Sequence, residues 1–198
     1  MKLILATVLI IMMIPDALSN GDYLNPDMGQ KYPTNWLESE SDTAIAGKPL
    51  IQNASESAVA LYNEGVVLHN SGKYEEALDS FNRTIDLNQT YAKAWNGKGR
   101  ALINLNRYDD ALRAFNETIV LNQSNQSNAD AWLGKGNAFA GLGSYYEAIK
   151  AYERAIEIDS EDYYAWVGKG IAFCELGRLG EAKNSMDKAY EILQKKIR

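Results

Sequence analysis

The 198-residue chain has one cysteine, Cys174, and one histidine, His69. A lone cysteine excludes an intrachain disulfide, so stability has to come from packing, and Cys174 reads as a small buried apolar residue rather than a reactive thiol. A lone histidine excludes a metal site made of several imidazoles, and a Cys–His pair would have to use the distant Cys174. An excess of cations is missing as well: 20 Lys and Arg stand against 26 Asp and Glu, interleaved, for a net charge of -6. That balance argues against a nucleic-acid partner. No glycine-rich loop sits between a strand and a helix to cradle phosphate. The paired acids Glu75-Glu76 and Asp109-Asp110 are explained by helix starts. The chain therefore reads as non-enzymatic, with no cofactor and no metal expected.

A long hydrophobic run is lacking too. The longest, Leu3 to Ile14, follows Met1-Lys2 and ends at Pro15-Asp16-Ala17-Leu18-Ser19. It is short for a membrane span, which needs about twenty apolar residues. A positive start, a dozen apolar residues and small residues at Ala17 and Ser19 have the anatomy of a secretory signal over residues 1–19. The expected location is secreted or in the cell envelope, with no membrane contact after cleavage; an uncleaved N-terminal anchor is the alternative. Residues 20–57, rich in Pro, Gly, Asn, Ser and Asp, read as a flexible linker in which Trp36 and Leu37 stand out.

What the rest of the chain has is repetition. Gly65, Gly99, Gly136 and Gly170 are spaced 34, 37 and 34 residues apart. A fixed period of that size marks a stacked array. Each unit holds two amphipathic helical patterns. Between them Gly72, Asn106, Gly143 and Gly177 fall at one place, where a helix C-terminus wants a residue tolerant of positive φ. The second helix carries a shared alanine (Ala77, Ala111, Ala148, Ala182). Four residues on comes a large side chain (Phe81, Phe115, Tyr152, Met186), and three further a small one (Thr84, Thr118, Ala155, Ala189).

These residues resemble the tetratricopeptide repeat. Trp95, Gly99, Ala111 and Phe115 match its pattern in the second unit, Trp132, Gly136, Ala148 and Ala155 in the third, and Trp166, Gly170, Ala182 and Ala189 in the fourth. The first unit keeps Gly65, Ala77 and Phe81 but has Leu61 for Trp. The closing Pro is missing, and Lys98, Lys135 and Lys169 occupy the usual Leu place. The resemblance implies an all-α solenoid of four helix–turn–helix units at 58–91, 92–125, 129–162 and 163–198, with 126–128 as an insertion.

The resemblance further implies a concave groove lined by the first helices. Its positions carry over to Tyr62, Val66 and His69, to Asn96, Arg100 and Ile103, to Leu133 and Asn137, and to Tyr164, Val167 and Ile171. The Lys, Arg and Asn clamp with which some members grip a terminal carboxylate is absent, which argues against a chaperone-tail ligand. Arg100 with Asn137 could hold one carboxylate or carbonyl, or Arg100 could pair with a nearby acid. Gly65, Gly99, Gly136 and Gly170 would let each first helix approach the second at the shared Ala. A second row, Gly97, Gly134 and Gly168, reads either as bare backbone awaiting a bound segment or as tighter stacking of neighbouring first helices.

Six Asn-X-Ser/Thr triplets occur. Asn88 and Asn122 in turns, Asn125 in the insertion and Asn53 before the array are the candidate glycosylation acceptors, while Asn82 and Asn116 lie within second helices. The last helix is expected to expose Met186, Ala189, Tyr190, Leu193 and Ile197. Two functions follow as expectations. One is an exported scaffold binding a protein or peptide segment in the groove. The other is a glycosylated envelope component that self-associates through its uncapped C-terminal helix.

Overall fold

The computed structural model describes residues 49–122 and 127–197, with side chains from Ser57 onward apart from Ser127. The expected signal over 1–19, Trp36 and Leu37 lie outside the described residues. Eight helices account for nearly all of them: α1 (Pro49–Asn70), α2 (Tyr74–Leu87), α3 (Ala92–Asn104), α4 (Tyr108–Leu121), α5 (Ser127–Gly141), α6 (Tyr145–Ile158), α7 (Tyr163–Glu175) and α8 (Leu179–Ile197). Two boundaries differ from the sequence reading. α1 begins at Pro49, so residues 49–57 are helix rather than linker, and α5 begins at Ser127, inside the expected insertion. None of the described helices is long and apolar enough to cross a membrane.

Each helix pair is closed by the same turn. Gly72, Asn106, Gly143 and Gly177 have φ of 77°, 57°, 73° and 75°. The N–H of the next residue reaches back to the carbonyl five residues earlier, as from Lys73 to Leu68 at 3.0 Å and from Arg107 to Leu102 at 2.8 Å. This left-handed cap satisfies carbonyls that a helix end leaves open. At the starts of α2, α4 and α8 the residue before the helix pairs with an acid of the first turn: Lys73 with Glu76, Arg107 with Asp110, Arg178 with Glu181. Such exposed pairs contribute little energy.

Helices pack in chain order, α1 on α2 through α7 on α8, and the first helices of successive units also touch: α1 with α3, α3 with α5, α5 with α7. These four thus line the inner curve of the array. The core sits between layers. Phe81 and Phe115 are fully buried, as is Tyr152, each stabilising the fold by about 1.5–3 kcal/mol relative to exposure. Buried Thr84 and Thr118 donate their hydroxyls to the carbonyls of Ser80 and Ala114, so neither leaves a polar atom stranded.

The two glycine rows now have one explanation. A Cβ added at Gly65 would meet the Phe81 ring at 2.7 Å, and one at Gly97, in the next unit, would meet the same ring at 2.7 Å. Phe115 lies likewise between Gly99 and Gly134, and Tyr152 between Gly136 and Gly168. Each aromatic from a second helix is a wedge held by two successive first helices. The first row therefore accommodates the ring rather than the shared alanine, and the second row faces the core rather than forming a bare stripe for a ligand.

Candidate functional site

Of the inner-face residues expected from sequence, Leu133 is a correction: it is 3% exposed and belongs to the core around Tyr152. It shares the register of Asn96 but packs with Tyr152, Ala148 and Ile149 in the core cluster. The others are half-buried. Tyr62 packs on Phe81 and Tyr91, with ring centroids 5.9 and 5.4 Å apart, and burial, reinforced by Tyr91, pushes its hydroxyl up to about 12. Val66 lies beside it against the Phe81 cluster, and Ile103 against the Phe115 cluster. Tyr164 lies against Tyr163 with centroids 4.0 Å apart, and Val167 and Ile171 continue along α7.

The centre of the face is polar. Asn104 Nδ2 lies 3.0 Å from His69 Nε2 and donates to the Arg100 carbonyl at 3.1 Å. An amide N–H can donate only to an unprotonated ring nitrogen, and the imidazole is indeed pushed down to about 4, by burial first and Arg100 second. Asn137 Oδ1 accepts from the Tyr152 hydroxyl at 2.9 Å. Arg100 stands between Tyr62, His69 and Asp130 and acts electrostatically on all three. Asn96, one turn before it, has its Oδ1 buried with no hydrogen-bond partner among the described residues.

Asp130 and Asn104 belong to this centre and escape the sequence reading. Asp130 is raised to about 6, chiefly by burial; Arg100 opposes the shift, and Asp162 and Asp159 add to it. The signal was present in the register: Asp130 precedes Trp132 by two residues, as Tyr164 precedes Trp166. Arg100 acts on Asp130 by charge, which is compatible with either sequence alternative for Arg100.

Chemically, the face offers amide and guanidinium donors, amide and carboxylate acceptors and aromatic edges. Cys174 and His69 lie in the fourth and first units, and the half-buried thiol is raised by burial and by Glu175, away from a reactive thiolate. Among the described residues no group of three His, Cys, Asp or Glu could hold a metal. On α8, Ala189 is buried and Met186 and Leu193 are half-buried, so the expected apolar face narrows to Tyr190 and Ile197, joined by Leu179. Asn88 Oδ1 accepts from the backbone N–H and hydroxyl of Thr90, the Asn122 carbonyl accepts from Asn128, Asn53 lies in α1, and Asn125 is outside the described residues.

Models of the tetratricopeptide repeat match residues 58–91, 96–163 and 141–194. The crystal structure of MamA is similar, with a TM-score of 0.64 and 26% identity over 75% of this chain and 85% of that one. YrrB, described as a repeat protein with an unusual peptide-binding site, has a TM-score of 0.57 and 22% identity, covering 72% of each chain. The second such domain of human RPAP3, solved with the HSP70 peptide SGPTIEEVD, has a TM-score of 0.56 and 21% identity over 60% of this chain and 97% of that one. The last two likenesses concern the fold alone. No curated protein matches the chain.

Proposed function

Since the chain belongs to the tetratricopeptide repeat family, we propose that it is a non-enzymatic interaction scaffold whose inner face binds an extended protein segment across α1, α3, α5 and α7. The observation that carries this reading is Asn96. A buried acceptor without a donor costs about 1–3 kcal/mol, and turning the half-buried Asn96 amide outward to meet a ligand N–H removes that penalty. Arg100, Asn137 and Tyr62 flank the position with further polar and aromatic contacts. Similar structures that carry peptides or peptide-binding sites on this fold support the reading.

The test is selection of peptides from a random display library on the purified chain. Selected peptides should bind Asn96→Ala and Arg100→Ala at least roughly tenfold more weakly. The Asn96 variant should keep or raise the unfolding midpoint, because it removes the unpaired acceptor. Peptides indifferent to both substitutions would refute the groove.

Two finer parts rest on sequence features. Residues 1–19 support export, and the Asn-X-Ser/Thr triplets support glycosylation outside the cytoplasm. Intact mass from the native host tests both: a species starting near Asn20 and carrying sugar supports them, and an unmodified chain retaining Met1 removes them. A second reading, self-association through α8, is favoured by the exposure of Tyr190 and Ile197, 39% and 72%. Sedimentation that shifts with concentration, and ceases to do so in Ile197→Ser, would support it.

A further inference from the structure

Three successive junctions between units use one device, and the first lacks a piece of it. Lys98, Lys135 and Lys169 each follow a tryptophan by three residues and hold their ammonium 5.1, 4.4 and 5.4 Å from the indole centroid. At the second junction Lys135 Nζ donates to Asn116 Oδ1 at 2.7 Å. At the third, Lys169 pairs with the Glu153 carboxylate at 2.8 Å. Asn116 and Glu153 stand at one register position, five residues after the shared alanines Ala111 and Ala148. The same position at the first junction is Asn82, yet among the described residues no hydrogen bond or ion pair joins it to Lys98. A cavity of about 390 Å³ lies there instead, with Asn82, Lys98, Trp95, Leu78 and Leu102 in its lining.

We propose that this cavity, formed by α2, α3 and α4, binds a small carboxylate carried on a flat apolar group. The carboxylate takes on Lys98 the place that Glu153 takes on Lys169, and the apolar body lies on Leu78 and the Trp95 indole, over the buried Leu102. A half-buried ammonium on an aromatic face has lost part of its water, so a charge-assisted hydrogen bond there gains more than one at an open surface. Burial already draws the Lys98 ammonium down. Arg107 and Arg113, also in the lining, both bond Asp110, at 2.7 and 2.6 Å, so that carboxylate acts on Lys98 by charge but makes no direct bond to it. With Glu117 counted, the lining carries three cations against two carboxylates; Asp86 acts on Lys98 from outside it. Trp95 and Lys98 leave α3 on a different side from Asn96 and Arg100, so the site is independent of the inner-face groove.

The test is titration of phenylpropanoate into the full chain, followed by the Trp95 indole N–H resonance. A saturable shift with a dissociation constant on the order of millimolar is expected, and the neutral phenylpropanol should bind roughly tenfold more weakly. Asn82→Glu should abolish binding and raise the unfolding midpoint, by supplying the carboxylate from within as the third junction does. Lys98→Gln, checked for unchanged helix content, should weaken binding roughly tenfold, and Lys135→Gln should leave it unchanged. A shift that never saturates, equal binding of the alcohol, or undiminished binding in both Asn82→Glu and Lys98→Gln would overturn the proposal.

Discussion

Replacing Gly134 by alanine tests the wedge architecture most directly. In an exposed helix interior the change should stabilise by about 1 kcal/mol, because glycine is the poorer helix former. Here the new Cβ would lie 2.3 and 2.5 Å from the Cζ and Cε1 of Phe115. That is more than about 1 Å inside the optimum contact distance of ~3.5–4.0 Å. The ring has little room to retreat, since it already lies so close to Gly99 on its other side that an added Cβ there would be 2.7 Å away. Overpacking of this kind costs about 1–3 kcal/mol. Net of the helix propensity, Gly134→Ala should be neutral to destabilising, by roughly 0–2 kcal/mol. The decisive measurement is a double-mutant cycle with Phe115→Leu in urea unfolding, read by both circular dichroism and tryptophan fluorescence so that coincident transitions justify the free energies. In the leucine background the clash is relieved, and Gly134→Ala should become neutral or stabilising, giving a coupling of about 1–3 kcal/mol. A stabilising single variant, or a coupling near zero, would refute the argument that the second glycine row exists to seat the ring.

Three further outcomes are expected. Asp130 is raised in the folded chain, so between its ordinary value and about 6 the folded state holds the extra proton, and its contribution to stability is lost as pH rises through that window. Asp130→Asn should therefore stabilise at pH near 7 and do nothing in acid below the ordinary carboxylate range, and a pH-independent effect on the urea midpoint would contradict this. His69 has the opposite sign: its folded value of about 4 is below the unfolded one, so its contribution is complete above the ordinary imidazole range and is lost as pH falls toward about 4; NMR titration of the ring should give a midpoint near 4, and one near the ordinary value would show that the Asn104 contact is open in solution. Gly143→Ala meets no atom within 4 Å but is held at φ 73°, so it should destabilise by about 1 kcal/mol through backbone strain alone, whereas no loss in the unfolding midpoint would mean the turn relaxes to another shape.

The sequence by itself determined what depends on neighbours along the chain. Gly72, Asn106, Gly143 and Gly177 could be placed as helix-ending residues because positive φ is a property of one residue and its backbone, and the registered aromatic and alanine positions follow from a helix bringing every third or fourth residue to one face. The all-α array, its four units and its inner face were legible for that reason. The tertiary structure alone decided what depends on distance across units. Gly97, Gly134 and Gly168 look alike whether they face a groove or a core, and only the position of a ring from the preceding second helix settles it. Leu133 shares the register of Asn96, yet its apolar side chain is buried in the cluster with Tyr152. Asp130, Arg100 and His69 come from three different units, and the charge of Arg100 acts on the other two, each already shifted by its own burial, a proximity that no local pattern encodes. The unpaired Asn96 Oδ1 and the Lys98 ammonium, which rests on Trp95 without a hydrogen bond or ion pair among the described residues, are of the same kind: each is a missing contact that exists only once the helices have been packed.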